Sequence, residues 1–130
     1  MLGDKSAVAT LAVTDLDAAR RFYEQTLGLT AVEGGPDTPG AVVYGSGGSA
    51  VLVYESRYAG TNQATAASWA VGADFDDIVR SLQDKGVAFE RYDDLPETTR
   101  DGDVHVTGEL RSVWFKDPDG NILNVVNQSL

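Results

Sequence analysis

Two side chains with metal-binding chemistry, an imidazole and a carboxylate, lie close together in the stretch "DVHVTGEL". His105 is the single histidine of the chain, and Glu109 follows it by four residues. On an α-helix this spacing would place both side chains on one face, where they could chelate a divalent ion. Val104, Val106 and Thr107 instead favour an extended chain, in which four residues span about 13 Å. One ion could not contact both side chains in that conformation.

We therefore predict that His105 lies on a surface loop over residues 93–109. That stretch contains Pro96, Gly102 and five acidic residues before the histidine. A loop of that length could act as a lid over a binding site. A lone loop histidine supports no Ser-His-Asp arrangement. The chain has no cysteine, which excludes a disulfide, a thiolate zinc site and a cysteine nucleophile. The sequence thus assigns no catalytic residue.

A polar residue in an apolar strand is the second chemical signal, in "WFKDPDGNILNVV". The Asp-Pro-Asp-Gly sequence predicts a tight turn between two strands. Asn124 carries the only polar side chain in the run from Ile122 to Val126. Such an amide either offers a donor and an acceptor to a ligand, or is hydrogen-bonded to neighbouring backbone or water. The sequence leaves both interpretations open.

These residues belong to a pattern that occurs twice. The stretches "TLAVTDLDAARRFYEQTLGLTAVE" and "SWAVGADFDDIVRSLQDKGVAFER" each predict a strand, an amphipathic helix and a second strand. Thr14 and Asp74 are the predicted N-caps, and Gly28 and Gly86, which are 58 residues apart, are the predicted helix ends. This spacing indicates duplication of a half-domain.

The whole pattern predicts an α+β fold made of two βαβββ modules that form cupped mixed sheets with the helices on the outer face. Module one covers about residues 6–55, the linker residues 56–66, and module two about residues 67–128. The glycine-rich "GSGGS" at residues 45–49 lacks the lysine of a phosphate loop and is better interpreted as a hairpin tip. One helix can cover only one face of each sheet, so the other face is the expected ligand site.

Charge and composition exclude several classes of partner. Ten Lys and Arg against twenty Asp and Glu give a net charge of −10, which would repel nucleic acid and anionic membranes. No apolar stretch approaches the roughly 20 residues of a membrane span, and the N-terminus does not resemble a signal peptide. The expected location is the cytoplasm.

The stretches "LAVTDLDAARRFYEQTLGL" and "VWFKDPDGNILNVV" resemble the vicinal oxygen chelate superfamily, which groups glyoxalase I, extradiol dioxygenases, fosfomycin resistance proteins and bleomycin resistance proteins. The resemblance implies paired βαβββ modules, usually in a homodimer. In the enzymes it also implies a divalent metal held by His, Gln or Glu on the cupped sheet.

Three positions of this chain match the ligand positions of those metalloenzymes, and none carries a usual ligand. The first-strand histidine falls on Val8, the ligand that opens the second module on Ser68, and the last-strand glutamate on Asn124. Valine cannot bind a metal, and serine and asparagine are weak neutral donors. We therefore predict no metal and no cofactor.

Strand alternation and the same resemblance predict the residues that line the ligand site. Trp114 is the most specific of these predictions, because an indole offers a flat apolar surface for an aromatic or cationic ligand. Trp69 alternates onto the other face of its strand and is predicted to serve packing. The predicted ligand-binding residues are Trp114, Asn124, Ser68, Thr10, Val8, Tyr44, Val53 and Glu55.

The sequence therefore predicts a metal-free protein of the glyoxalase and bleomycin-resistance type that sequesters or senses a small organic ligand. The alternative is a lyase, isomerase or dioxygenase with a metal on atypical ligands, or a metal-independent enzyme that uses Asn124, Glu55 or Tyr44. A third interpretation is a vestigial pocket on a protein whose interface is its function.

Overall fold

The structure is a computed structural model that describes residues 1–32 and 39–129. The chain divides into two compact units. The first unit contains the described residues of Met1–Gln63 together with Pro118–Asn121, and the second those of Ala64–Asp117 together with Ile122–Leu130. Within the described residues, no helix is long and apolar enough to cross a membrane.

In its described residues, the first unit is a four-stranded sheet with one helix. Strands β1 and β4 are parallel neighbours, the other pairs are antiparallel, and the strand order is β1-β4-β3-β2. Its elements are β1 (Ala9–Val13), α1 (Leu16–Arg20), a π-helical continuation (Arg21–Thr26), β2 (Thr30–Ala31), β3 (Ala41–Ser46) and β4 (Ser49–Glu55).

The first helix begins one residue later than predicted. Asp15, not Thr14, is the N-cap, and its carboxylate accepts hydrogen bonds from the backbone N–H groups of Asp17 and Ala18. Thr14 instead donates its backbone N–H to the carboxylate of Asp119 at 3.0 Å. Gly28 ends the helical segment with φ +76°, as expected for a left-handed C-cap.

The second unit is a six-stranded sheet with one longer helix. The strand order is β5-β10-β9-β8-β7, β6 also pairs with β9, and β5 runs parallel to β10. Its elements are β5 (Thr65–Ala70), a 3-10 turn (Gly72–Asp74), α2 (Phe75–Asp84), β6 (Phe89–Glu90), β7 (Thr99–Asp101), β8 (Val104–Thr107), β9 (Leu110–Lys116) and β10 (Ile122–Val126).

Helix α2 covers one face of the second sheet. Its buried residues are Phe75, Val79 and Leu82, and the guanidinium of Arg111 in β9 lies 5.2 Å from the Phe75 ring centroid. Arg111 also forms a 2.8 Å ion pair with Asp76 in the first turn of α2. The odd-numbered residues of β9 and their register partners therefore face the helix, and the buried set comprises Ala67, Val113, Phe115, Leu123 and Val125.

The predicted surface loop over residues 93–109 is wrong. Most of its C-terminal half is the hairpin of β7 and β8, which extends the second sheet beyond β9. His105 pairs with Ser112 and is only 1% exposed. The β-branched neighbours of His105 already favoured extended chain, but only pairing with β9 brings that chain into the sheet.

The α+β class and the two helix-bearing mixed sheets agree with the prediction. The "GSGGS" segment forms the predicted hairpin tip, since β3 pairs with β4 as far as Ser46 and Ser49. The Asp-Pro-Asp-Gly sequence also turns as expected, with Gly120 at φ +90° between β9 and β10. The second unit contains one hairpin, β7–β8, in addition to the predicted βαβββ elements.

Candidate functional site

A row of four register partners crosses the second sheet. Asn124 in β10 pairs with Ser68 in β5 and with Trp114 in β9, and Trp114 pairs with Glu90 in β6. Directly paired residues lie on the same face of a sheet. The row therefore lies on the face opposite α2 and contains three of the predicted ligand-binding residues.

Asn124 is held by the backbone beside it. Its side chain is buried, with 6% of the residue exposed, and Nδ2 donates a hydrogen bond to the carbonyl oxygen of Val113 at 3.1 Å. An amide can hold this place without a counter-ion, whereas a carboxylate has no N–H to offer that carbonyl. The interpretation of Asn124 as a structural residue is therefore supported by an identified hydrogen-bond acceptor, the carbonyl oxygen of Val113.

Trp114 reaches across β10. Its indole Nε1 donates to Thr65 Oγ1 in β5 at 3.1 Å, and β10 lies between β9 and β5. Neighbouring strands are about 4.8 Å apart, so a side chain from β9 can reach β5 only by lying over β10. The half-buried indole consequently covers part of the face that carries Asn124 and Ser68.

Three rings form an aromatic cluster on this face, namely Tyr92, His105 and Trp114. The His105 and Trp114 centroids are 4.9 Å apart at 89°, and the Tyr92 and Trp114 centroids are 5.5 Å apart at 78°. These are edge-to-face contacts, which aromatic pairs favour. The cluster fixes the position of the single histidine beside the indole.

The hydrogen bonding of His105 defines its tautomer. Nε2 accepts the backbone N–H of Tyr92 at 2.9 Å, so the proton of a neutral imidazole resides on Nδ1. Nδ1 is buried and has no hydrogen-bond partner within residues 1–32 and 39–129. A buried donor of this kind is uncommon in folded proteins.

The charged groups around the cluster are paired. Lys116 lies 3.1 Å from Glu90, and Arg91 lies 2.9 Å from Asp103. Arg100 hydrogen-bonds to Asp93 and thereby holds the pKa of that carboxyl below its usual value.

The phenol of Tyr92 stays protonated at neutral pH. Burial raises its pKa, and the nearby Glu90 raises it further. Tyr92 is therefore a neutral donor and not a base under ordinary conditions.

The remaining predicted site residues lie in the first unit, on two different faces of its sheet. Thr10 is exposed on β1, and Val8, just before that strand, is 47% exposed. Val53 pairs with Leu11 and therefore lies on the face opposite Thr10, as does Glu55, which pairs with Val13.

Tyr44 also lies on the helix-covered face of the first sheet. Its ring stacks on Tyr23 with centroids 6.1 Å apart, and its hydroxyl donates to Glu24 at 3.0 Å. The prediction that Tyr44, Val53 and Glu55 line the same face as Thr10 is corrected by this register. Tyr44 and Val53 are completely buried and belong to the core of the first unit. The apolar alternation of Val51 and Val53 in the sequence is the pattern that indicates this burial.

Sequence reasoning missed Thr65, Tyr92 and the burial of His105. The alternation of Val104, His105 and Val106 is a strand signal that pointed to the last of these. Nothing local marks Thr65 or Tyr92, because their roles arise from contacts with β9 and β8 respectively.

The three positions to which the resemblance assigns metal ligands do not fit a divalent metal. Val8 offers only methyl groups, Ser68 an exposed hydroxyl, and Asn124 an amide already bonded to Val113. Across the part of the chain that the structure describes, no group of three His, Cys, Asp or Glu side chains could hold a metal ion.

Solved structures share this fold at low sequence identity. The fosfomycin resistance protein FosX from Listeria monocytogenes is 18% identical with a TM-score of 0.66, covering 100% of this chain and 94% of that one. Lactoylglutathione lyase from Agrobacterium tumefaciens is 23% identical with a TM-score of 0.64, covering 95% and 92%. A virulence protein from Salmonella typhimurium is 24% identical with a TM-score of 0.65, covering 99% and 100%.

No curated protein matches the chain significantly. The family model described as the Glyoxalase/Bleomycin resistance protein/Dioxygenase superfamily matches residues 5–125. That match spans both sheets and both helices, and it agrees with the fold shared by the solved structures. The chain is therefore a member of the glyoxalase, bleomycin resistance protein and dioxygenase superfamily.

Proposed function

We propose that this protein binds a small organic molecule on the face of the second sheet opposite α2, without a divalent metal, and that it sequesters or senses that molecule in the cytoplasm. The observation that carries the proposal is the row of Ser68, Asn124 and Trp114. A metalloenzyme of this superfamily would need strong ligands at two of these positions. Here the row offers a hydroxyl, an amide and an indole.

The chemistry of the row suits recognition of a flat molecule. The half-buried indole of Trp114 supplies a broad apolar plane, and rings prefer offset or edge-to-face contact with such a plane. Ser68 is exposed beside it and can donate or accept a hydrogen bond. A few polar groups on a mostly apolar lining are typical of small-molecule sites.

We favour binding over turnover because the acidic side chains near the row already form ion pairs. Glu90 is paired with Lys116 and Asp103 with Arg91, and both pairs are part of the strands and turns that frame the cluster. We extend the proposal to a homodimer, as the family resemblance implies.

A ligand screen by thermal shift tests the proposal. Aromatic compounds are expected to raise the melting temperature of the metal-free wild type, and Trp114→Leu, which keeps an apolar side chain but removes the plane, is expected to weaken binding about tenfold. Trp69→Phe, on the α2 side of the sheet, is the control.

Two outcomes would contradict the proposal. Equal binding by wild type and Trp114→Leu would place the ligand elsewhere. A tightly held metal ion with turnover of a superfamily substrate would favour the enzyme alternative. Light scattering of the purified protein checks the homodimer separately.

A further inference from the structure

The Nδ1–H of His105 has no hydrogen-bond acceptor among the described residues. The imidazole is 1% exposed, its Nε2 is occupied by the Tyr92 backbone N–H, and the described residues provide no partner for Nδ1. Removing a donor from water without replacing its hydrogen bond lowers stability. Native structures retain such groups where a ligand or an ordered water completes the bond.

Trp114 lies directly beside this histidine. Its indole contacts the imidazole edge-to-face at 4.9 Å, and Thr65, itself exposed, holds the indole through a single hydrogen bond of 3.1 Å. Exchange of that bond for one to water costs little at an exposed site. Movement of the indole away from Thr65 would give up this bond and the ring contacts with Tyr92 and His105, which a bound aromatic ring could replace.

We propose that Nδ1–H of His105 donates a hydrogen bond to the carbonyl oxygen of a flat, uncharged aromatic ligand, which packs against the Trp114 indole after the indole leaves Thr65. This inference rests on the proposed function and adds to it the class of ligand and the polar contact that orients it. The ligand would complete the hydrogen bond that Nδ1 of His105 lacks.

The surrounding charges favour a neutral acceptor over a carboxylate. The imidazole faces Ser112 across β8 and β9 and Arg100 across β7 and β8, and the Arg100 guanidinium is hydrogen-bonded to Asp93 and to the carbonyl oxygen of Gly102. The nearby cations are thus already paired, and the chain carries a net charge of −10. A carbonyl oxygen accepts the bond without adding negative charge.

The test uses three naphthalene probes that differ in one substituent, namely 2-naphthamide, 2-methylnaphthalene and 2-naphthoate. Because the chain has one histidine, nitrogen-edited NMR of labelled wild type reports this imidazole without ambiguity. We expect 2-naphthamide to shift the Nδ1 proton downfield, as a new bond to oxygen requires. The methyl compound should bind about threefold to tenfold more weakly and leave that proton unshifted.

Variants separate the hydrogen bond from the ring contacts. His105→Phe keeps a ring but removes the donor, and it should bind the amide and the methyl compound equally. Thr107→Val, two residues along the same strand, removes a hydroxyl that bonds to Thr98 and should preserve the preference for the amide. The NMR measurement uses wild type alone, so it stands even if His105→Phe folds poorly.

Several results would overturn the inference. One is an Nδ1 proton that does not respond to the amide although the probe perturbs Trp114 fluorescence, which would leave the proposed function intact. Another is a fixed upfield Nδ1 shift, which would assign the donor to the indole face of Trp114. Tighter binding of 2-naphthoate, or no binding by any probe, would also overturn it. The wider thermal-shift screen then decides whether the proposed function fails as well.

Discussion

Trp114 in β9 and Thr65 in β5 are joined by a 3.1 Å hydrogen bond across the strand that carries Asn124. The two residues are 49 positions apart in the chain. Their bond fixes the one flat apolar side chain of the row in an orientation that covers β10. The orientation of Trp114 is therefore set by its contacts with Tyr92 and His105 together with one exposed hydroxyl, which a substitution can remove.

Thr65→Val is expected to release the indole. Measured in a Trp69→Phe background, where Trp114 alone emits, the emission maximum should shift to longer wavelength and the anisotropy should fall, because the ring gains motion and water contact. The free energy of unfolding should fall by about 1 kcal/mol or less. Thr30→Val, at an exposed strand threonine of the first unit, is the matched control. Unchanged emission in Thr65→Val would show that the bond does not hold the ring.

Purified wild type is expected to carry no stoichiometric divalent metal, and a chelator should leave its melting temperature unchanged. The reason is the donor set of Val8, Ser68 and Asn124, which contains no imidazole, thiolate or carboxylate. Elemental analysis and a melting curve with and without chelator measure this. One tightly bound ion per chain would refute the expectation.

The double variant Ser68→His and Asn124→Glu provides the positive control for that experiment. The two positions are register partners on parallel neighbours, so an imidazole and a carboxylate would lie side by side on one face. Zinc at tenfold over its dissociation constant would then add about 1.4 kcal/mol to the stability of the folded state. Neither single variant should show a comparable metal-dependent shift.

Gly60→Ala and Gly47→Ala are expected to differ in stability. Both glycines have positive φ, but a Cβ at Gly60 would lie 2.2 Å from the carbonyl oxygen of Asp119, while nothing lies within 4 Å of one at Gly47. Gly47→Ala should cost about 1 kcal/mol for the left-handed backbone alone. Gly60→Ala should cost roughly 3 kcal/mol, because overpacking adds to that strain. Urea unfolding compares them, and equal losses would mean that the close approach relaxes freely.

Alkaline pH is expected to destabilise the protein partly through Tyr44. Burial raises the pKa of this phenol, and its hydrogen bond to Glu24 and the charge of Glu24 raise it further, above the ordinary value of about 10. A pKa that is higher in the folded than in the unfolded state contributes stability that is complete below the unfolded value. That contribution is lost as the pH rises through the folded value.

The free energy of unfolding of wild type should thus decline above about pH 10, and Tyr44→Phe should decline less steeply. At pH 8 the variant should lose about 1 kcal/mol with the hydrogen bond to Glu24. Tyr92, whose pKa is also raised, will retain part of the slope in the variant. Tyr58→Phe, 65% exposed, is the control, and an equal effect of both substitutions would contradict the role of Tyr44.

Local patterns were sufficient to predict much of the fold. The helix ends at Gly28 and Gly86 and the turn at Gly120 follow from backbone conformations that glycine adopts readily, and the structure has all three at positive φ. The row partners Ser68, Asn124 and Trp114 also share a face as alternation predicted, because each strand alternates with period two. The sequence by itself likewise determined that the usual metal ligands are missing from Val8, Ser68 and Asn124.

Only the tertiary structure decided which faces the strands present and where His105 lies. Alternation defines two faces of a strand but not which one meets the helix, so only the register with β1 shows that Tyr44 and Val53 lie opposite Thr10. His105 is buried because β8 pairs with β9, and Trp114 lies over Asn124 because β10 separates β9 from β5. These contacts join residues distant in the chain, so no local segment of the sequence specifies them.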